Sequence, residues 1–165
     1  MLLGIISDTH GYLPATVHDA FRGVDRIVHA GDVGSYSVIL ELQTIAPVTG
    51  VMGNNDHDSY GGILTPVLSF IAGGIDFKVA HFQRKVGWPG GPGTIRICGH
   101  THVPRLEQQD GSYLLNPGST TYPRAGSRPS AAIVEVDAGE VLDIRFCDLT
   151  AADGSDCNPR DWSVY

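Results

Sequence analysis

Near its start the chain reads Leu2-Leu3-Gly4-Ile5-Ile6-Ser7-Asp8-Thr9-His10, an apolar run that ends in an Asp-x-His sequence. A short apolar run that ends at polar residues and glycine predicts a buried β-strand. The same arrangement recurs at residues 27–30, 48–52, 77–80 and 94–98. In open α/β sheets, ligands bind beyond the carboxyl ends of such strands. The polar residues that follow the five runs are therefore candidates for one common site.

The segments between the first three runs predict two helices. Pro14 begins a helix that extends to Phe21, since proline is tolerated in the first turn of a helix. Residues 35–45 carry apolar side chains at helical spacing on one face. A β-α-β-α-β order of this kind predicts a parallel sheet with crossover helices.

The second half of the chain is predicted to be mostly β. Short apolar runs are separated there by glycine-containing pairs, which are typical of hairpin turns. Three hairpins are predicted, with turns at Gly73-Gly74, Asp110-Gly111 and Ala138-Gly139. Two facing sheets with helices outside them fit this set of elements.

Length and composition favour a single domain over residues 1–165 that buries its own core. The net charge of −7 argues against strong nucleic-acid binding. No apolar run approaches the length of a membrane span, and no charged segment precedes the first run, so no membrane association is expected. Residues 150–165 show no periodicity, and we expect this tail either to be flexible or to pack on a partner.

The three cysteines, Cys98, Cys147 and Cys157, are an odd number without the spacing of a metal site. The simplest interpretation is that all three are reduced thiols, and reduced thiols favour a cytoplasmic protein. The sequence leaves open whether the chain forms a homo-oligomer.

Six short motifs follow one another along the chain. They are Ser7-Asp8-Thr9-His10-Gly11, Ala30-Gly31-Asp32, Gly53-Asn54-Asn55-Asp56, Ala80-His81, Gly99-His100-Thr101-His102 and Asn116-Pro117-Gly118-Ser119. In this order they resemble the calcineurin-like metallophosphoesterases, specifically the small single-domain phosphodiesterases of bacteria and archaea. The resemblance extends over residues 1–148 and implies an α/β (α+β) fold, a four-layer α-β-β-α sandwich.

The resemblance also implies a site for two divalent metal ions per chain, bridged by the carboxylate of Asp32. The first metal would be bound by Asp8, His10, Asp32 and His102, and the second by Asp32, Asn55, His81 and His100. Mixed imidazole and oxygen ligands suit borderline ions. We favour Mn²⁺, with Zn²⁺, Fe²⁺, Co²⁺ and Ni²⁺ as alternatives. Asp56 is expected to orient a ligand rather than to bind metal.

The implied reaction is hydrolysis of a small phosphoester, most simply a phosphodiester, by a hydroxide that bridges the two metals. Asp32 and Asn55 are the predicted catalytic ligands. Active relatives often carry Gly-Asn-His at the third motif, where the histidine can protonate the leaving oxygen. We place Asn54 at this acid position. Because an amide cannot act as an acid there, slow turnover or good leaving groups are expected, with His57 as an alternative acid.

One segment departs from the family pattern. Relatives carry a helix between the histidine that matches His81 and the Gly-His-Thr-His loop, and they tend to have glycine after that histidine. Here Phe82 follows His81, and residues 87–93 are mostly glycine and proline, which cannot hold a helix. A loop is predicted instead, and Trp88 within it predicts a flap or a contact surface.

An alternative function belongs to a different class. The same fold serves in eukaryotes as a non-catalytic protein-binding scaffold with a degraded metal site. A full set of metal ligands argues for the enzyme, because a scaffold does not need it.

Overall fold

The computed structural model describes residues 1–88 and 90–150. The helices are α1 (Thr16–Ala20), α2 (Tyr36–Gln43) and α3 (Gln83–Val86). The strands are β1 (Leu2–Ile6), β2 (Arg26–His29), β3 (Val48–Val51), β4 (Leu64–Thr65), β5 (Leu68–Ala72), β6 (Ile75–Val79), β7 (Thr94–Ile97), β8 (Arg105–Gln109), β9 (Ser112–Asn116), β10 (Ser130–Asp137) and β11 (Glu140–Asp148). The predicted tail lies, apart from Thr150, outside the described residues.

The first sheet has six strands in the order β11-β10-β1-β2-β3-β4. Strands β1 to β4 are parallel, whereas β10 and β11 form an antiparallel hairpin beside β1. The predicted β-α-β-α-β unit is confirmed, with α1 and α2 as its crossover helices. Ser35 caps α2, because its side chain accepts a hydrogen bond from Ser37 N.

The second sheet has five strands in the order β5-β6-β7-β9-β8. Its central strands β6, β7 and β9 are parallel, and the edge strands β5 and β8 pair with them in antiparallel fashion. The three predicted hairpins are confirmed as β5–β6, β8–β9 and β10–β11.

The main hydrophobic core lies between the two sheets. Leu3 and Ile5 of the first sheet are fully buried there, as are Phe77 and Val79 of the second. The side chains of a strand point alternately to its two faces, and on β6 Asp76 is accordingly exposed beside the buried Phe77. Burying an apolar side chain of this size contributes about 1.5–3 kcal/mol.

A second apolar cluster lies between the first sheet and its helices. Val17 of α1 and Ile39 and Leu42 of α2 are buried against this face. A Cβ atom at Gly4 would lie 3.0 Å from the ring of Phe21. The glycine in the first apolar run therefore lets the end of the α1 segment pack closely on β1.

The predicted α-β-β-α sandwich is confirmed, although the described helical layer on the second sheet is a single turn. This turn, α3, precedes the glycine- and proline-rich segment and was not predicted. Val86 of α3 packs against Ala80, Cys98 and Leu114 on the outer face of the second sheet. The described residues of 87–93 form no helix, as predicted, and Trp88 is 51% exposed.

The cysteines differ from one another. Cys98 is a buried free thiol. Cys147 is disulfide-bonded, so the expectation of three reduced thiols is wrong for this residue. The helices in residues 1–88 and 90–150 are too short and too polar to cross a membrane.

Candidate metal centre

The polar residues that follow the predicted strands meet at one end of the two sheets. The parallel strands β1, β2, β3, β6 and β7 bring their carboxyl ends to this end. Asp8 and His10 follow β1, Asp32 follows β2, Asn54 and Asn55 follow β3, His81 follows β6, and His100 and His102 follow β7.

Asp8, His10 and His102 form a first group of potential metal ligands. The Nε2 atom of His102 lies 3.1 Å from Asp8 Oδ1 and 3.3 Å from His10 Nε2. On the other side of its ring, His102 Nδ1 donates a hydrogen bond to the carbonyl oxygen of Tyr122 at 2.6 Å. A neutral imidazole that donates from Nδ1 carries a lone pair on Nε2, and Nε2 is therefore the atom that would coordinate a metal.

Asp8, Asp32 and His81 form a second group. His81 Nε2 lies 3.5 Å from Asp32 Oδ2, and the same oxygen lies 3.9 Å from His10 Nε2 of the first group. Asp32 Oδ2 is thus close to histidines of both groups, as a shared carboxylate requires. His81 Nδ1 donates to the carbonyl oxygen of Ala30 at 2.9 Å, which orients the ring.

The two consecutive asparagines face different partners. Asn54 Oδ1 lies 3.1 Å from His81 Nε2 and 3.0 Å from His100 Nδ1. Asn55 donates from Nδ2 to Asp32 Oδ2 at 2.7 Å and from its backbone N to Asp32 Oδ1 at 2.8 Å. Asn55 therefore faces Asp32, whereas the side-chain oxygen of Asn54 faces two candidate histidine ligands. The assignment of Asn55 to the second metal stays a prediction, and this geometry favours Asn54 as the alternative ligand.

The alternative assignment of Asn54 also moves the acid position by one residue. When the Gly-Asn-His pattern of active relatives begins at Gly53, its asparagine falls on Asn54 and its histidine on Asn55. Position 55 also holds an amide, so the expected lack of an acid is unchanged. His57, the alternative acid, is exposed and forms no hydrogen bond among the described residues.

Packing shifts the pKa values of the central groups. Burial would raise the pKa of Asp32, but hydrogen bonds from His81 and Asn55 outweigh burial and hold the pKa well below its usual range. Burial would lower the pKa of His81, but the hydrogen bond to Asp32 and the charge of Asp8 outweigh it and raise the pKa. The opposite pKa shifts of the two groups reflect the close contact of a carboxylate with an imidazole.

The carboxylate of Asp8 has one oxygen with hydrogen-bond partners and one without. Its Oδ2 atom accepts hydrogen bonds from Ser7 Oγ and from His100 N. Its Oδ1 atom is buried and has no hydrogen-bond partner among the described residues. Desolvation by burial raises the pKa of Asp8. An unpaired carboxylate oxygen that faces histidine nitrogens fits a metal ion, which supplies the missing positive charge.

Several of the candidate ligands also have an unusual backbone conformation. Five of them adopt left-handed φ angles, which are uncommon outside glycine. These are Asp8 (53°), His10 (47°), Asp32 (55°), His100 (69°) and His102 (61°). Such angles persist only where surrounding structure enforces them, and they concentrate at functional sites.

Two glycines of the motifs are required by close packing. A Cβ atom at Gly53 would overlap Asp32 Oδ1 and the Asp32 backbone nitrogen. A Cβ atom at Gly99 would overlap Ser7 Oγ and press on Asp8 Oδ2. Any side chain at either position would displace a candidate ligand.

Asp56 holds backbone segments that adjoin the candidate ligands. Its Oδ1 atom accepts from Gly34 N at 2.9 Å and its Oδ2 atom accepts from Gly53 N at 2.8 Å. This buried carboxylate therefore joins the backbones of the loops after β2 and β3, and its role in orienting a ligand stays a prediction.

Residues of the sixth motif and Tyr122 hold the candidate site in place through hydrogen bonds that involve backbone carbonyl oxygens. Asn116 Nδ2 donates to the carbonyl oxygen of Gly99 at 2.8 Å, and Ser119 Oγ donates to that of Asp8 at 2.8 Å. None of the residues of this motif is among the predicted ligands. The Tyr122 carbonyl that orients His102 was missed, because a backbone acceptor leaves no signal in the side-chain sequence.

Comparison with known proteins identifies the family. Residues 1–139 match the model of the calcineurin-like phosphoesterase superfamily domain. A probable metallophosphoesterase of Methanothermobacter thermautotrophicus is 41% identical over 159 residues, covering 87% of this chain and 90% of the relative. A phosphodiesterase of Methanocaldococcus jannaschii is 26% identical over 165 residues, covering 87% of this chain and 98% of the relative.

A structural relative has the same fold. The zinc complex of Vps29 from Entamoeba histolytica superposes with a TM-score of 0.71 at 22% identity, covering 92% of this chain and 94% of Vps29. At this identity the likeness shows the fold alone. The family match, the two ligand groups and the sandwich fold agree, and the chain belongs to the calcineurin-like phosphoesterase superfamily.

Proposed function

We propose that the chain is a phosphodiesterase that depends on two divalent metal ions. The first ion would be held by Asp8, His10, Asp32 and His102, and the second by Asp32, Asn54, His81 and His100. This set keeps every predicted ligand except Asn55, which Asn54 replaces. The imidazole and oxygen donors fit Mn²⁺, our preferred metal, and also Zn²⁺, Fe²⁺, Co²⁺ and Ni²⁺.

One observation carries the proposal: two hydrogen-bond acceptors, on His102 and Asp8, face each other, and no described residue donates a hydrogen bond between them. His102 donates from Nδ1 to Tyr122, so its Nε2 atom faces Asp8 Oδ1 at 3.1 Å as one acceptor facing another. The facing carboxylate oxygen is buried and unpartnered. Such an arrangement is costly unless a proton or a metal ion lies between the two atoms.

The residues of the chain would bind and orient the reacting groups. Bound divalent ions would activate water at neutral pH and neutralise phosphoryl charge. Asp32 would hold the two ions together, and Asn55 would keep the Asp32 carboxylate in place through the two hydrogen bonds it donates. His81 and His102 are already oriented by the carbonyl oxygens of Ala30 and Tyr122.

A diester is the favoured substrate for two reasons. The Methanocaldococcus jannaschii relative is named a phosphodiesterase. In addition, position 55 offers no acid for the leaving oxygen, so esters with acidic alcohols should react best. General-acid help is typically worth about 10²–10⁴-fold, and its absence predicts slow turnover on poor leaving groups.

The rival proposal is a non-catalytic scaffold of the same fold. A scaffold does not need a cluster of buried ionisable ligands, and it does not need left-handed φ angles at those residues. Both features destabilise a fold unless other interactions compensate for them. The scaffold predicts no hydrolysis under any metal, whereas the enzyme predicts metal-dependent hydrolysis.

The test is metal content together with hydrolysis. Protein treated with a chelator is reloaded with each divalent metal, and bound metal and hydrolysis of bis(p-nitrophenyl) phosphate are measured. We expect two metals per chain, and Asp32→Asn should weaken binding of both and remove most activity. Asp76→Asn is the matched control, because Asp76 lies on β6 and pairs with Arg96 on the exposed surface. Wild-type metal content and rate in Asp32→Asn would refute the proposal.

A further inference from the structure

The ring of Phe82 lies close both to a candidate metal ligand, His100, and to two cations, Arg84 and Lys85. Its centroid is 4.4 Å from that of His100, and the two rings are tilted by 58°. The guanidinium carbon of Arg84 lies 4.2 Å from the ring centroid, within cation–π range. Lys85 Nζ lies 5.9 Å from the same centroid. Phe82 thus places positive charge beside a candidate ligand of the second metal.

Arg84 keeps its hydrogen-bond donors free. Most arginines of the described chain pair with a carboxylate: Arg22, Arg96, Arg105, Arg128 and Arg145. Arg84 has no such partner among the described residues, and a guanidinium that stacks on a ring retains its in-plane N–H groups for an anion.

Arg124 adds a second cation beside His102, a candidate ligand of the first metal. Its side chain forms no ion pair within residues 1–88 and 90–150 and is exposed. Its backbone N donates to the carbonyl oxygen of His102 at 3.3 Å, and this hydrogen bond holds the backbone of Arg124 next to a candidate ligand.

A simpler account treats these cations as surface charge at the end of α3. A helix end attracts positive charge, but α3 is a single turn of four residues and its dipole is small. The simpler account also does not explain Arg124, which lies in a different loop. The net charge of the chain is −7, yet three cations without carboxylate partners among the described residues lie close to the ligand histidines His100 and His102. Such a local excess of positive charge favours binding of an anion.

We infer that Phe82, Arg84 and Arg124 form a subsite for a second anionic group of the substrate, a carboxylate or phosphate on the alcohol part of the ester. The inference rests on the proposed function, because it assumes that the scissile phosphate binds at the metal centre. Arg84 and Arg124 bind the second anion through N–H donors, Phe82 holds Arg84 beside the centre, and Lys85 adds charge.

The test uses phosphonates, which contain no ester to hydrolyse. Calorimetric titration of the Mn²⁺-loaded protein compares 3-phosphonopropionate with propylphosphonate, which has the same carbon chain but no carboxylate. Wild type should bind the carboxylate compound about tenfold more tightly, the effect of one charge-assisted contact. Propane-1,3-bisphosphonate is a third probe, and its affinity shows whether phosphate or carboxylate is preferred as the second group.

The variants assign this preference to residues. Arg84→Gln and Arg124→Gln should each lower the ratio of the two affinities, and Phe82→Leu should do the same because Arg84 loses its aromatic support. Arg26→Gln is the matched control, since Arg26 also stacks on an aromatic ring, at 5.5 Å from the centroid of Phe70, but at the opposite end of the sheet. It should leave the ratio unchanged.

Two outcomes would overturn the inference. One is equal affinity of wild type for 3-phosphonopropionate and propylphosphonate. The other is a preference that survives in both Arg84→Gln and Arg124→Gln. Neither depends on turnover, so failure of the subsite is distinguishable from failure of the proposed hydrolysis, which the diester assay reports.

Discussion

His29 Nε2 lies 3.0 Å from Thr9 Oγ1 in a fully buried contact between the end of β2 and the loop after β1. His29 Nδ1 accepts from Gly31 N at 3.2 Å, so the ring proton lies on Nε2 and is donated to Thr9. Thr9 Oγ1 donates onward to the carbonyl oxygen of Val33 at 2.9 Å. This chain of hydrogen bonds requires a neutral His29 and fixes the two loops that carry the first candidate ligands.

We expect His29 to make the protein less stable as pH falls. Burial lowers its pKa from 6.5 to about 4. Between these values the unfolded chain binds more protons here than the folded chain, so the free energy of unfolding decreases as pH falls from about 6.5 to about 4. The loss approaches about 3 kcal/mol, at about 1.4 kcal/mol per pKa unit.

Urea unfolding of chelator-treated protein at several pH values measures this effect without a contribution from metal binding. His29→Gln should be less stable than wild type near neutral pH, but its stability should depend less on pH between 6.5 and 4. Parallel pH profiles for the two proteins would contradict a neutral, buried His29.

The second prediction separates the two asparagines. Asn54 faces His81 and His100, whereas Asn55 faces Asp32. Asn54→Ala should therefore weaken the second metal site, by about tenfold or more in affinity, because one ligand is lost. Asn54→Asp, which keeps an oxygen at the same place, should retain the metal. Titration with Mn²⁺ measures both.

Asn55→Ala is the matched comparison for this experiment. Its backbone N–H to Asp32 would remain, so the second metal should stay bound more tightly than in Asn54→Ala. If Asn55→Ala loses the second metal and Asn54→Ala keeps it, the original placement of Asn55 among the ligands was right and the geometric assignment is wrong.

The asparagines also show how far sequence can predict this protein. Strand ends, the β-α-β-α-β order and the cluster of polar residues follow from apolar periodicity, which is strong for β1, β2 and β3. Which of two adjacent asparagines faces a histidine depends on the exact turn after β3, and periodicity does not report it. β4 and α3 were missed because elements of two and four residues are too short to form a pattern.

A third prediction concerns the close contact at Gly53. Gly53→Ala would place a methyl group on Asp32, so the carboxylate must move away from its position between the two ligand groups. We expect loss of metal binding and lower stability, by about 1–3 kcal/mol as for other overpacking changes. Gly90→Ala is the control, since a Cβ atom there meets no atom within 4 Å. Normal metal binding by Gly53→Ala would show that the loop after β3 can adapt.

The last prediction is that leaving-group acidity controls the rate. With Asn55 at the acid position, an alcohol must depart as an unprotonated alkoxide, so aryl phosphodiesters should react much faster than alkyl diesters. Asn55→His should help the poorest leaving groups most, by up to about 10²-fold where the imidazole reaches the leaving oxygen.

The measurement is a plot of log rate against leaving-group pKa for wild type, Asn55→His and Asn54→His. Asn54→His should only impair metal binding, because position 54 is occupied by a proposed ligand. A flat wild-type plot would show that another group, such as His57, already protonates the leaving oxygen.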